Sequence, residues 1–127
     1  MRCNLKKILV SLFALFSTAA IAATSPKDAY ALVKSGKAIM VDVREENEIQ
    51  EGMIEKAMWL PMTKINANED WQKEFLQASK DKKIFLYCRS GSRSGKFQAL
   101  LKEKGIASEN LGGFEQLKTD LPATKAK

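Results

Sequence analysis

The chain reads as an α/β domain with a mainly parallel sheet and helices on both faces. Three observations predict it. The apolar runs Ala38-Ile39-Met40-Val41-Asp42-Val43 and Ile84-Phe85-Leu86-Tyr87 are too short for helices and too apolar to alternate, as in strands buried on both faces. Amphipathic stretches at helical spacing stand between such runs, the order expected of a parallel sheet covered on both sides. The second apolar run leads through a short Gly/Ser/Arg-rich loop, with Cys88 at its mouth, straight into an amphipathic stretch, Lys96 to Lys104.

The elements follow in order. Met1 to Lys7 is basic, Ile8 to Phe16 is apolar with one serine, and Ala20-Ile21-Ala22 offers small residues at a cut. That is the three-part layout of a secretory signal peptide over residues 1–22, and it predicts export, in a bacterium to the periplasm. An uncleaved anchor is the alternative, since the uncharged stretch from Ile8 to Thr24 has 17 residues. Its second half, Ser17-Thr18-Ala19-Ala20, is weakly apolar and favours cleavage. Cleavage after Ala22 removes three of the positive charges and no acidic residue. The formal charge of +6 then falls to +3, and no Lys/Arg run marks a nucleic-acid partner. The 127 residues suit one domain, and 105 remain after the cut.

Ser25-Pro26-Lys27-Asp28 starts a helix, with Ser at the N-cap, Pro at the first helical position and an acid in the first turn. Ala29, Leu32 and Val33 form its apolar face and Gly36 its end. The first strand follows. Asp42 and Arg44 stand at its carboxyl end, where open α/β sheets gather functional residues. They are candidates for supporting a neighbouring loop; a structural salt bridge, or a solvated cluster with Glu45, Glu46 and Glu48, is the alternative. Glu48 to Lys56 holds a turn at Gly52, and Ala57-Met58-Trp59-Leu60 is a second strand that Pro61 stops. Asn68-Glu69-Asp70 caps a helix whose Trp71, Phe75 and Leu76 share one face. Trp59 and Trp71 are expected in the core rather than as stacking surfaces. A helix from about Ser94 carries Phe97, Leu100 and Leu101 inward and ends at Gly105; Ile106 to Leu111 is a last strand. Gly112-Gly113-Phe114 either lets the backbone pass close to the cysteine loop or makes an ordinary turn. Residues 118–127 read as a polar, frayed tail.

The loop Cys88-Arg89-Ser90-Gly91-Ser92-Arg93-Ser94-Gly95 carries the chemistry. A loop that opens a helix presents free N–H groups and the positive end of the helix dipole. Curled around one point, such groups form an anion nest. A cysteine there, beside Arg89, Arg93 and Lys96, is expected to ionise easily. Gly91 and Gly95 are expected to allow the tight backbone. A buried structural cysteine is the alternative. The chain has no histidine, which excludes Cys–His and Ser–His–Asp mechanisms and His-ligated metals within it. Two cysteines, Cys3 and Cys88, exclude a zinc cage and a C-x-x-C pair.

With these residues placed, the chain resembles the single-domain rhodaneses, a sulfurtransferase family, over residues 25–117. The resemblance rests on Asp42-Val43-Arg44-Glu45 after a strand, Gly52-x-Ile54 followed by Ala57 and Pro61, the Cys88–Ser94 loop, and Gly112-Gly113. Met53 stands where the family often has histidine. The resemblance implies a rhodanese-like fold, Cys88 as the catalytic nucleophile, and substrate binding by Arg89, Ser90, Gly91, Ser92, Arg93 and Ser94, with Asp42 and Arg44 in support. Arg93 is the first candidate for substrate contact and Arg89 the second. It implies a small anionic sulfur donor such as thiosulfate, a thiol or cyanide acceptor, a protein donor or acceptor in the cell, and no cofactor. Two other classes stay open. One is a persulfide carrier without turnover. The other is a tyrosine-phosphatase-like hydrolase, whose loop has five residues between Cys and Arg where this one has four, Arg89 to Ser92.

Overall fold

The computed structural model describes residues 23–68 and 70–125. The expected signal segment, its cut and Cys3 lie outside the described residues. Ser25 opens the first helix as its sequence indicates. Its hydroxyl accepts the Asp28 N–H at 3.2 Å, and helix α1 runs Pro26–Lys34. Gly36 follows with φ +81°.

The chain then enters β1 (Ala38–Asp42), which pairs in parallel with β3 (Met58–Trp59) on one side and β4 (Lys83–Cys88) on the other. The register of β1 with β4 runs from Ala38 opposite Lys83 to Asp42 opposite Tyr87. β5 (Glu109–Gly113) completes the sheet beyond β4, in the order β3-β1-β4-β5. The two apolar runs thus form the central strands, where neither face meets water.

Alternate residues of those strands point to opposite faces. Val41, Val43, Ile84, Leu86 and Cys88 pack with Met62 and Ile65 of α3 (Met62–Asn66), Phe75 of α4 (Gln72–Ser79) and Phe97 and Leu101 of α5 (Ser92–Glu103). Trp71, Phe75 and Phe97 meet edge-to-face there, with centroids 5.3–5.8 Å apart. Ala38, Met40, Phe85 and Tyr87 pack on the other face against Ala29 and Tyr30 of α1 and Phe114 and Leu117 of α6 (Phe114–Asp120). The sheet is parallel and covered on both faces, as the alternation predicts.

Four expectations are corrected. The tail is not frayed over residues 118–124: α6 continues to Asp120, Leu121 is buried, and β6 (Ala123–Thr124) pairs antiparallel with β2 (Met53–Ile54). Leu117 and Leu121, four apart, anchor this segment despite its polar composition. Trp59 is 38% exposed at the sheet edge, its indole N–H donating to the Arg44 carbonyl at 2.7 Å. Leu76 is 48% exposed, because Ser79 rather than Leu76 shares the inner face of α4 with Phe75. The helix expected to be capped by Asn68-Glu69-Asp70 begins at Gln72, with Trp71 at its N-cap and no side-chain hydrogen bond there.

Candidate active site

Cys88 ends the central strand β4, and three residues later the chain is already turning into α5. Gly91, at the helix N-cap, makes that possible with φ +98°, a left-handed conformation that costs other residues energy. The consequence is that the cysteine sulfur takes the place of a helix cap. Sγ accepts the Gly91 N–H at 3.0 Å and the Ser94 N–H at 3.5 Å, and the Ser94 hydroxyl lies 3.4 Å away. These are donors a helix start leaves unpaired. Gly95, in contrast, is helical, and its missing side chain leaves room for the Asn110 amide, 3.4 Å from where a Cβ would sit.

Burial pushes the Cys88 thiol up, but the Ser94 hydroxyl and then the Ser94, Ser90 and Gly91 N–H groups outweigh it and bring the thiol below its ordinary value. The lowering comes from hydrogen-bond donors, among them the helix-start N–H groups the sequence pointed to, and not from the flanking arginines. Because the thiolate is the reactive form, a lowered pKa shifts its appearance to lower pH. The alkylation rate of Cys88 against pH is expected to show a midpoint below the free-thiol value of about 8.5. A midpoint at or above it would return Cys88 to a structural role.

Asn110 on β5 holds the loop in shape. Its Nδ2 donates to the Gly91 carbonyl at 2.9 Å, and its Oδ1 accepts the Gly112 N–H at 3.0 Å and lies 2.8 Å from the Ser94 hydroxyl, whose single proton turns to either Oδ1 or the Cys88 sulfur. One side chain therefore ties the loop, α5 and β5. Gly113 lies opposite Cys88, and a Cβ there would overlap the Arg89 carbonyl oxygen. Both roles open for Gly112-Gly113 are observed: the cysteine loop passes close to Gly113, and Gly113 is the strand-to-helix turn at the N-cap of α6.

Asp42 and Arg44 lie beneath the site, both buried. The Arg44 guanidinium donates from Nε to Asp42 Oδ1 at 3.0 Å and from Nη2 to Oδ2 at 2.8 Å. Nη2 also donates to the Gly52 carbonyl at 2.6 Å, and the guanidinium lies 4.1 Å from the Phe114 ring centroid. This is a structural ion pair, and through Gly52 it fixes the turn leading to β2.

Arg93 is held by a partner the sequence left in an undistinguished acidic cluster. Helix α2 (Glu46–Ile49) carries Glu48, whose carboxylate accepts from Arg93 Nη1 at 2.6 Å and Nη2 at 2.8 Å. The same carboxylate accepts the Glu45 N–H at 2.9 Å, which closes a capping box. The Arg93 contact, foremost against the burial that opposes it, brings Glu48 down to about 2. Arg89 is more than half exposed, with Nη1 3.5 Å from Glu48 Oε2. Ser90 and Ser92 are exposed, and of the two it is Ser90 that offers the sulfur its backbone N–H. Glu48 and Asn110 are the residues that sequence reasoning missed. An asparagine inside a strand pattern is a weak signal for the latter, since strands disfavour it.

Solved structures share this fold. A rhodanese-related protein from Thermoplasma volcanium superposes with TM-score 0.66 at 23% identity, over 84% of this chain and all of that one. A protein of unknown function from Rhodopseudomonas palustris, described as a possible tyrosine phosphatase, gives TM-score 0.65 at 26% identity over 82% of this chain and 85% of that one. In sequence, the tRNA uridine(34) hydroxylase of Staphylococcus saprophyticus is 31% identical over 105 residues, which is 81% of this chain and 33% of that protein. The chain thus spans about a third of the length of that relative. The model of the rhodanese-like domain matches residues 25–120, from the cap of α1 to the end of α6, and the chain belongs to that family.

Proposed function

We propose that the protein is a sulfurtransferase that moves sulfane sulfur from thiosulfate or a similar anionic donor to a thiol or cyanide through a persulfide on Cys88. The observation that carries this reading is the sulfur at the head of α5, taking the Gly91 and Ser94 N–H groups. A thiolate so held needs no histidine base. The Cys88 thiolate attacks the outer sulfur of thiosulfate. A new S–S bond forms, the S–S bond of thiosulfate breaks, and its electron pair leaves with sulfite. Cys88 then carries a persulfide anion, whose charge the same N–H groups balance. Cyanide or a thiolate attacks the outer sulfur, the persulfide bond breaks, and thiocyanate or a new persulfide leaves as the Cys88 thiolate is restored.

The Rhodopseudomonas neighbour favours a second reading, phosphate ester hydrolysis. Against it stands the loop itself, with four residues between Cys88 and Arg93 and so one N–H fewer than a phosphatase ring. Hydroxylation of tRNA belongs by name to a protein of which the match covers 33%, and is not proposed for this chain. The deciding assay compares thiocyanate formation from thiosulfate and cyanide with hydrolysis of an aryl phosphate. The first is expected to dominate; robust phosphatase activity without thiocyanate would overturn the proposal. Persulfide formation without turnover would indicate a carrier that exchanges sulfur with a protein partner.

The basic, apolar and small-residue layout of residues 1–22 supports an exported, periplasmic setting. The exported form is expected to begin at Ala23 on N-terminal sequencing. Recovery of the Met1 form in membranes would contradict this.

A further inference from the structure

We propose that Glu48 is a resident anion that sets how strongly the site attracts negatively charged sulfur donors. That these anions are sulfur donors rests on the sulfurtransferase reading; the electrostatic effect of Glu48 does not. Both arginines of the cysteine loop face this one carboxylate, Arg93 through two bonds at 2.6 and 2.8 Å and Arg89 at 3.5 Å. The carboxylate is a fixture of the site. It caps α2 through the Glu45 N–H, lies mostly buried beside Arg93, and stays ionised down to a pH of about 2.

Two loop cations are therefore opposed by one fixed negative charge wherever the protein works. An oxyanion approaching Cys88 meets one net positive charge from this trio instead of two. The Arg93 side chain is 30% exposed and uses two of its five donors on Glu48, so it retains donors for an incoming sulfonate. A unit charge a few ångströms away in a partly exposed site changes ion affinity by a factor of several. Glu48 thus tempers anion binding and keeps open a site that must release a doubly charged product, sulfite, after every transfer.

The test uses two alkylating agents that differ in charge. Iodoacetate is an anion and iodoacetamide is neutral, so the ratio of their rates at Cys88 reads the local potential and cancels any change in thiolate fraction. Glu48→Gln keeps the shape and an acceptor for Glu45. It is expected to raise the iodoacetate-to-iodoacetamide ratio about three- to tenfold at low salt, an effect that shrinks as ionic strength rises. Glu48→Asp, which keeps the charge, should retain the wild-type ratio. An unchanged ratio in folded Glu48→Gln protein would overturn the proposal. Should that variant fail to fold, Arg93→Gln reads the same balance and is expected to lower the ratio by a similar factor, no change again overturning it. KM for thiosulfate should fall several-fold in Glu48→Gln with little gain in kcat. If wild-type protein gives no thiocyanate, the sulfurtransferase reading fails, while the alkylation ratio still decides the role of Glu48.

Discussion

Cys88→Ser is expected to abolish thiocyanate formation, by on the order of a thousandfold or more. Attack on a sulfur requires a nucleophile present as its anion near neutral pH. The N–H donors around position 88 bring a thiol below its ordinary value, but a hydroxyl starts several units higher and stays protonated. Serine is also too poor a leaving atom for the second half of the cycle, in which position 88 must be displaced from the carried sulfur. The fold should survive. Position 88 is fully buried, serine is slightly smaller, and the Gly91 and Ser94 N–H groups gain an oxygen acceptor in place of sulfur. Circular dichroism and thermal unfolding check that side. Retained turnover in a folded Cys88→Ser protein would place the nucleophile elsewhere.

Asp42→Asn should cost the fold about 3–5 kcal/mol, read as a lowered urea midpoint with an unchanged slope. The expectation follows from what is left behind. Arg44 is buried to within 1% of its surface, and its guanidinium and its own N–H all donate to the Asp42 carboxylate. Asparagine removes the compensating charge and offers the guanidinium one oxygen instead of two. The Gly52 carbonyl and the Phe114 ring remain, but neither neutralises a cation. Replacing both partners together, Asp42→Leu with Arg44→Met, should recover much of the loss, because the double change removes the buried charge rather than orphaning it. A loss below about 1 kcal/mol in Asp42→Asn would mean that water reaches the pair.

The central sheet was legible because β1 and β4 are buried on both faces, and such strands must be continuous apolar runs. The cysteine loop was legible because a strand, two glycines and two arginines stand in one local segment. What stayed hidden is what distant segments bring to that loop. Glu48 lies 45 residues from Arg93 and Asn110 lies 16 from Ser94, and neither pairing leaves a local pattern. Arg93 looked like a free cation for the same reason. β2 and β6 are two residues each, too short for any periodicity, and their pairing depends on Leu121 being drawn under the sheet. Trp59 looked like core by residue type. It sits on the edge strand, where one side of the ladder is unpaired and more than a third of a large side chain meets water.

The covalent intermediate is the most direct point of contact with experiment. Intact-mass measurement of the reduced protein after incubation with thiosulfate is expected to show a gain of one sulfur atom. Cyanide should remove that gain, and Cys88→Ser should never acquire it. An unchanged mass, in a protein whose Cys88 remains open to alkylation, would contradict sulfur transfer through this cysteine.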